Sequence, residues 1–247
     1  MPEISSSRHT TSASWDDVPH LDEKTKAELL ASTPPHLRDA RSKGIPALGA
    51  GAIYPVPISE IEVKPFAIPA FWPRAFALDV GWNCTAALWG AKDPADDTIY
   101  LYAEHKRGQE VPVVHAEAIK ARGKWIEGAI DPAARGRAQK DGSQLIETYR
   151  ALELNLIEAE NAVEAGIYEV WQRLVTGRLK VFSTLMNLKA EYQIYRRDEH
   201  GKIVKAHDHL MDDMRYLVNT WDKIAAVQQP SRSIVDAMGA ADATAGY

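Results

Sequence analysis

The chain has 247 residues, 45% of them hydrophobic, enough to bury a full core as one large domain or two small ones. A formal charge of −5 excludes a globally basic nucleic-acid binder, and the lone cysteine, Cys84, excludes an internal disulfide and a cysteine-built zinc centre. No apolar run reaches the roughly 18 residues that span a bilayer, and the N-terminus lacks a signal-peptide apolar region, which predicts a soluble, intracellular protein.

Residues 1–14, rich in Ser and Thr, read as a disordered tail. Helices are expected over 22–32 and 34–43, followed by a Gly/Pro/Ala-rich linker, "GIPALGAGAIYPVP" (44–57). Three apolar runs, "RAFALDVGWN" (74–83), "TAALWGA" (85–91) and "TIYLYAEHKR" (98–107), are separated by turn-forming residues and predict an antiparallel meander. Alternation follows: helix 112–123, strand 125–131, helix 143–153, strand 154–159, helix 162–177, strand 178–182 and helix 184–196. A hairpin with Gly201 at its tip (196–207) leads into the helix that opens with "HDHLMDDMRYL", and 228–247 reads as a flexible tail. The pattern predicts an α/β fold, a mixed sheet of meander plus parallel strands flanked by helices.

On the last helix, Leu210, Met211, Met214, Leu217, Val218 and Trp221 share one face, which is expected to pack on the sheet. Asp208, His209, Asp212 and Asp213 fall on the other, and a solvated acidic face is the plain reading of them. Two further acids point elsewhere. Asp79 ends an apolar strand and Asp131 follows "WIEGAI", positions where an uncompensated buried charge costs several kcal/mol, although Asp131 also suits an ordinary turn before Pro132. If these strands are neighbours and the helix crosses their ends, three carboxylates converge and repel unless a divalent cation neutralises them. Oxygen ligands without cysteine suit Mg²⁺ or Mn²⁺, and two such ions support phosphodiester hydrolysis. His209, three residues before Asp212, is placed to bind metal or shuttle a proton.

"FALDVGWN", "GAIDPAARG" and "DHLMDDMRYL", in that order, resemble the C-terminal nuclease domain of tailed-phage large terminase subunits. The similarity reaches upstream to "SWDDVPHL" and "RDARSKGIPALGAGAIYPV" and covers roughly 14–221. The resemblance implies an RNase H-like fold and a metal-dependent endonuclease that cuts concatemeric viral double-stranded DNA in the host cytoplasm. It implies Asp79, Asp131 and Asp212 as ligands of two Mg²⁺ or Mn²⁺ ions, Asp212 matching the aspartate four residues before the family's Tyr. By the same resemblance His209 is catalytic and Asp208 an accessory metal acid, with Glu104 or Glu117 as a further acid. Implied partners are an ATPase domain, a small terminase subunit and the portal protein, with no membrane. No G-x-x-x-x-G-K-[ST] loop is present, since Gly123-Lys124 and Gly201-Lys202 lack both the upstream Gly and the following Ser or Thr. The expected organisation is therefore a tail and linker from a missing ATPase (1–60), the nuclease domain (61–227) and a C-terminal tail (228–247).

Two basic groups flank the acids and are expected to hold DNA phosphates: Arg135, Arg137 and Lys140 after Asp131, and Arg196, Arg197, Lys202 and Lys205 in the hairpin. A third group, His105 to Arg107, ends the meander. Most tryptophans read as core, and Trp82, close to Asp79, is the one placed to touch substrate. Two other readings fit the same residues: an RNase H-like nuclease for branched DNA or RNA–DNA hybrids, and a non-catalytic docking module of the packaging motor.

Overall fold

The computed structural model describes residues 14–18, 21–32, 42, 51–135, 145–198 and 200–228. Helix α1 (Glu23–Ser32) precedes the main body, which opens with the single turn α2 (Ile58–Ile61) and β1 (Glu62–Val63). The meander is β2 (Arg74–Asp79), β3 (Thr85–Lys92) and β4 (Ile99–Arg107). Then come α3 (Pro112–Lys120), β5 (Glu127–Ile130), a 3₁₀ turn (Pro132–Arg135) and α4 (Leu145–Ala151). The body closes with β6 (Leu156–Glu158), α5 (Val163–Val175), β7 (Leu179–Phe182), α6 (Met186–Ile194) and α7 (His209–Ile224). Every strand and helix expected between residues 74 and 224 is present, and Arg197 bridges Ile203 across the expected hairpin.

The seven strands are ordered β1-β7-β4-β3-β2-β5-β6, antiparallel within the meander and parallel elsewhere. Strand alternation sorts side chains into two cores. Ala75, Ala77, Ala86, Leu88 and Ala129 face one core with α5, α6 and α7, whereas Phe76, Leu78, Ala87, Trp89 and Ile130 face another with α3 and α4. The alanine row is what lets α7 lie close against β2, β3 and β5. Gly90 continues this fit, because a Cβ there would stand 3.0 Å from Leu217 Cδ2 and 3.1 Å from Trp221.

Two expectations are corrected. The segment 51–57, read as linker, belongs to the larger core, with Ile53, Tyr54 and Val56 buried and Tyr192 donating to the Val56 carbonyl at 2.9 Å. The apolar content that looked like linker filler covers the sheet instead. Helix α7 is not half solvated either: beyond its six expected core residues, Asp208, Asp213, Arg215, Tyr216 and Thr220 are also buried, because α5 and α6 cover its outer side. The expected tails and the helix at 34–43 lie outside the described residues, apart from Ser14, Ser42 and Gln228.

Candidate active site

Parallel pairing of β2 and β5 places Ala77 beside Ala129 and Leu78 beside Ile130. The Asp131 amide donates to the Leu78 carbonyl at 2.9 Å, so the register continues and brings Asp131 next to Asp79 at the carboxyl ends of the strands. Counting by two from Ala77 and Ala129, both aspartates extend the alanine row and turn toward α7. Two carboxylates thus sit on neighbouring strands under one helix.

Helix α7 answers them with four side chains. His209 Nδ1 lies 2.7 Å from Asp79 Oδ2. One turn on, Asp212 accepts from Arg215 at 2.9 Å and from Lys205 at 3.1 Å. Tyr216 donates its hydroxyl to Asp131 Oδ1 at 3.1 Å, and Asp131 also accepts from the Ala133 amide at 3.0 Å, the turn role its sequence suggested. Asp213, four residues after His209, is 0% exposed, and both its carboxylate oxygens lack a hydrogen-bond partner.

The electrostatics follow from this crowding. Burial lifts the Asp79 carboxyl above its ordinary range against the opposing His209 hydrogen bond, with Asp131 and Asp212 adding repulsion. The Asp79 hydrogen bond, followed by one from Cys84, pushes His209 up to about 10, which favours its protonated form beside Asp79. Asp213 is driven far above the carboxylate range by burial first and then by Asp79 and Asp212.

Most of the site residues expected from sequence fall within the described residues. Asp79, Asp131, His209 and Asp212 lie at the same end of the sheet, Asp79 against His209 and Asp131 beside Asp79 on the neighbouring strand. Asp208 stands at the start of α7 with Lys205 at 3.1 Å. Asp213 was assigned to the solvated side and is instead inside; a single-face projection fails for a helix covered on both sides. Glu104 is committed elsewhere, accepting from the Asn187 and Leu188 amides at 2.9 and 2.8 Å at the start of α6, and Glu117 is an exposed partner of Lys120. Arg197 pairs with Glu164 at 2.6 Å and Lys205 with the acids, while Arg196 and Lys202 are exposed. Arg137 and Lys140, and the side chain of Arg135, lie outside the described residues.

The sequence reading missed Glu191, a buried acid on α6 that caps α7 by accepting from the Leu210 amide at 2.7 Å and pairs with Lys106. It also missed Arg215 and Tyr216 as partners of the acids. For these two a signal existed, since they lie one turn beyond Asp212 on the same helix. Among the described residues, no three His, Cys, Asp or Glu side chains converge closely enough to hold a cation as they stand. The carboxylates are turned toward Lys205, Arg215, His209 and Tyr216 instead of toward one point.

A mixed sheet with paired acids at adjacent strand ends and an acidic helix across them defines the RNase H-like class of nuclease folds. Residues 77–220 match the terminase RNaseH-like domain, and the chain belongs to that family. It is 33% identical over 210 residues to the large terminase subunits of Salmonella phage P22 and Enterobacteria phage LP7. That alignment covers 81% of this chain but 42% and 44% of theirs, so the chain spans less than half the length of these relatives. The solved nuclease domain of the P22 large terminase matches with a TM-score of 0.68 at 29% identity, over 76% of this chain and 100% of that one. The nuclease domain of the SPP1 large terminase with bound Mn matches in fold, with a TM-score of 0.50 at 14% identity over 68% of this chain and 99% of that one.

Proposed function

We propose that this chain is the metal-dependent endonuclease of a DNA-packaging terminase and hydrolyses phosphodiesters of concatemeric viral double-stranded DNA in the host cytoplasm. The observation that carries the reading is the register of β2 and β5, which sets Asp79 and Asp131 side by side beneath the helix bearing Asp212. The donor chemistry suits a hard divalent cation: Asp79, Asp131 and Asp212 offer oxygens at one end of the sheet and would turn from their present partners to share an ion, with the two orphaned buried oxygens of Asp213 beside them. Asp79, Asp131 and Asp212 would hold two Mg²⁺ or Mn²⁺ ions, with Asp208 as an accessory acid. The Mn bound to the SPP1 domain of the same fold is consistent with this. When bound, such ions activate water and stabilise the leaving oxygen of the phosphodiester.

The chain's own residues carry the remaining tasks. Tyr216 orients Asp131, Arg215 orients Asp212, and His209, held at Nδ1 by Asp79, would move a proton to or from the reacting groups through its other ring nitrogen. Lys205 balances Asp208 and Asp212, and its flexible stem lets it withdraw when a cation takes its place. Arg196 and Lys202, with Arg135, Arg137 and Lys140, would meet DNA phosphates. The nuclease unit, expected over 61–227, would extend back to about residue 51, whose segment packs in the same core, and the ATPase, small subunit and portal would belong to the larger assembly in which it acts.

The test is nicking of supercoiled plasmid in Mn²⁺ together with Mn²⁺ binding followed by calorimetry. Wild type is expected to nick and bind, and Asp131→Asn to lose both while melting like wild type. Junction and RNA–DNA hybrid substrates in the same assay report the substrate class. Equal nicking by both proteins would overturn the assignment.

A further inference from the structure

A cleft of about 580 Å³ opens beside His209, lined by Asn83, Cys84, Lys106, Arg107, Asn187 and His207 among others. Its lining carries Lys106 and Arg107, in a chain whose overall charge is −5. The wall is built rigidly. The Gln109 amide donates to the Trp82 carbonyl at 2.7 Å, with Gln109 itself at φ 59°. A Cβ at Gly108 would stand 2.1 Å from the Asn83 carbonyl oxygen, so only glycine lets the 107–109 loop close on the 81–84 turn. This latch presents Trp82, 66% exposed, on the rim turn three residues from Asp79. Glu191 holds Lys106, but Arg107 is 57% exposed and its ion pair with Glu110 is long, at 3.7 Å. An exposed indole and an exposed guanidinium, carried on two loops latched to each other at the end of the sheet that bears Asp79, have the chemistry of a nucleic-acid strand site: a ring face for a base or sugar and a cation for a phosphate.

We infer that this cleft seats the substrate strand on one side of the scissile phosphate, with Arg107 on a neighbouring phosphate and Trp82 packed on the adjacent nucleoside. The inference rests on the nuclease reading above and adds residues that reading does not use. Since Trp82 reads no base edge, the subsite is sequence-tolerant, and it favours a strand unstacked at the cut over a fully stacked duplex.

The experiment measures affinity for a fluorescent duplex with a short single-stranded end, by anisotropy in Ca²⁺ and in the uncut Asp131→Asn background. Trp82→Ala is expected to weaken binding roughly tenfold and Trp82→Phe to restore most of it. Arg107→Ala is expected to weaken binding and to lower the slope of log affinity against log salt by about 1, a change Trp82→Ala does not produce. Lys124→Ala, at the opposite end of the sheet, serves as the control, and melting curves verify that each variant folds. Affinities for Trp82→Ala and Arg107→Ala within twofold of the background protein, or no DNA binding by that protein at low salt, would overturn the inference. Retained cleavage by Asp131→Asn would sink the nuclease reading separately, because the binding comparison does not depend on it.

Discussion

The two ends of β2 end in opposite kinds of chemistry. At its start, Arg74 exchanges backbone hydrogen bonds with Ala226 at 2.8 and 3.1 Å and donates from its guanidinium to the Ile68 carbonyl at 3.2 Å. The same guanidinium lies over the rings of Tyr102 and Trp125, 5.9 and 5.8 Å from their centroids. None of these partners titrates near neutral pH or can be displaced by an ion. At the other end, Asp79 meets an imidazole, and its neighbours Asp131 and Asp212 are held by a phenol, a guanidinium and a lysine. One strand therefore anchors the sheet with permanent contacts and ends in exchangeable ones, and the exchangeable end is the one the proposed nuclease chemistry would use.

The comparison can be broken most forcefully from the Asp79 end. Asp79→Asn is expected to reduce plasmid nicking by more than about 100-fold, since even outer partners of metal ligands cost about 10–100-fold, with little change in urea midpoint. Arg74→Ala should do the reverse, losing about 2 kcal/mol in urea titration while each folded molecule still cuts. Comparable effects of both changes on both readouts would erase the distinction.

Smaller effects sharpen it through pH. The Asp213 carboxyl is raised in the folded state, so its contribution is complete below the ordinary carboxylate range and is lost as pH climbs toward the folded value. In EDTA, Asp213→Asn should therefore gain on wild type by about 1 kcal/mol as pH rises above about 4, read from urea midpoints. His209 is raised from 6.5 to about 10, so its pairing stabilises fully below 6.5 and fades as pH passes through about 10. Because the imidazole is partly exposed, His209→Gln should flatten that slope by less than about 1 kcal/mol. Over the same window Mn²⁺ binding by wild type should strengthen as the competing proton leaves.

The meander was readable because its apolar runs are punctuated by Gly, Asn, Asp and Pro, and because burial on both faces of β2 and β3 leaves near-continuous hydrophobic strings. Asp79 and Asp131 stood out for the same reason, as charges at the ends of such strings. Their adjacency was not readable, since it depends on a register set by pairing across 50 residues of intervening chain, roughly, and not by local propensity. Asp213 was misplaced because a helical projection knows one covering surface and α7 has two. Glu191 gave no sign, sitting in a helix of mixed polarity whose buried stripe is decided by what it packs on. The segment at 51–57 carried the composition of a linker and became core, since Gly and Pro report backbone freedom while Ile53, Tyr54 and Val56 find apolar partners far along the chain.

Gly166, on α5, sits so near α7 that a methyl group there would overlap Asn219 and press on Arg215, at 2.0 and 2.8 Å. The acid-bearing helix is thus packed closely between sheet and covering helix, at a point where α5 presents only a glycine. On the nuclease proposal, close packing favours side-chain rotations for gathering the carboxylates around an ion, and these are intrinsically faster than movements of whole helices. Arming such a centre would be as quick as the ion's arrival, and restraint on untimely cutting would have to be exercised over access for DNA.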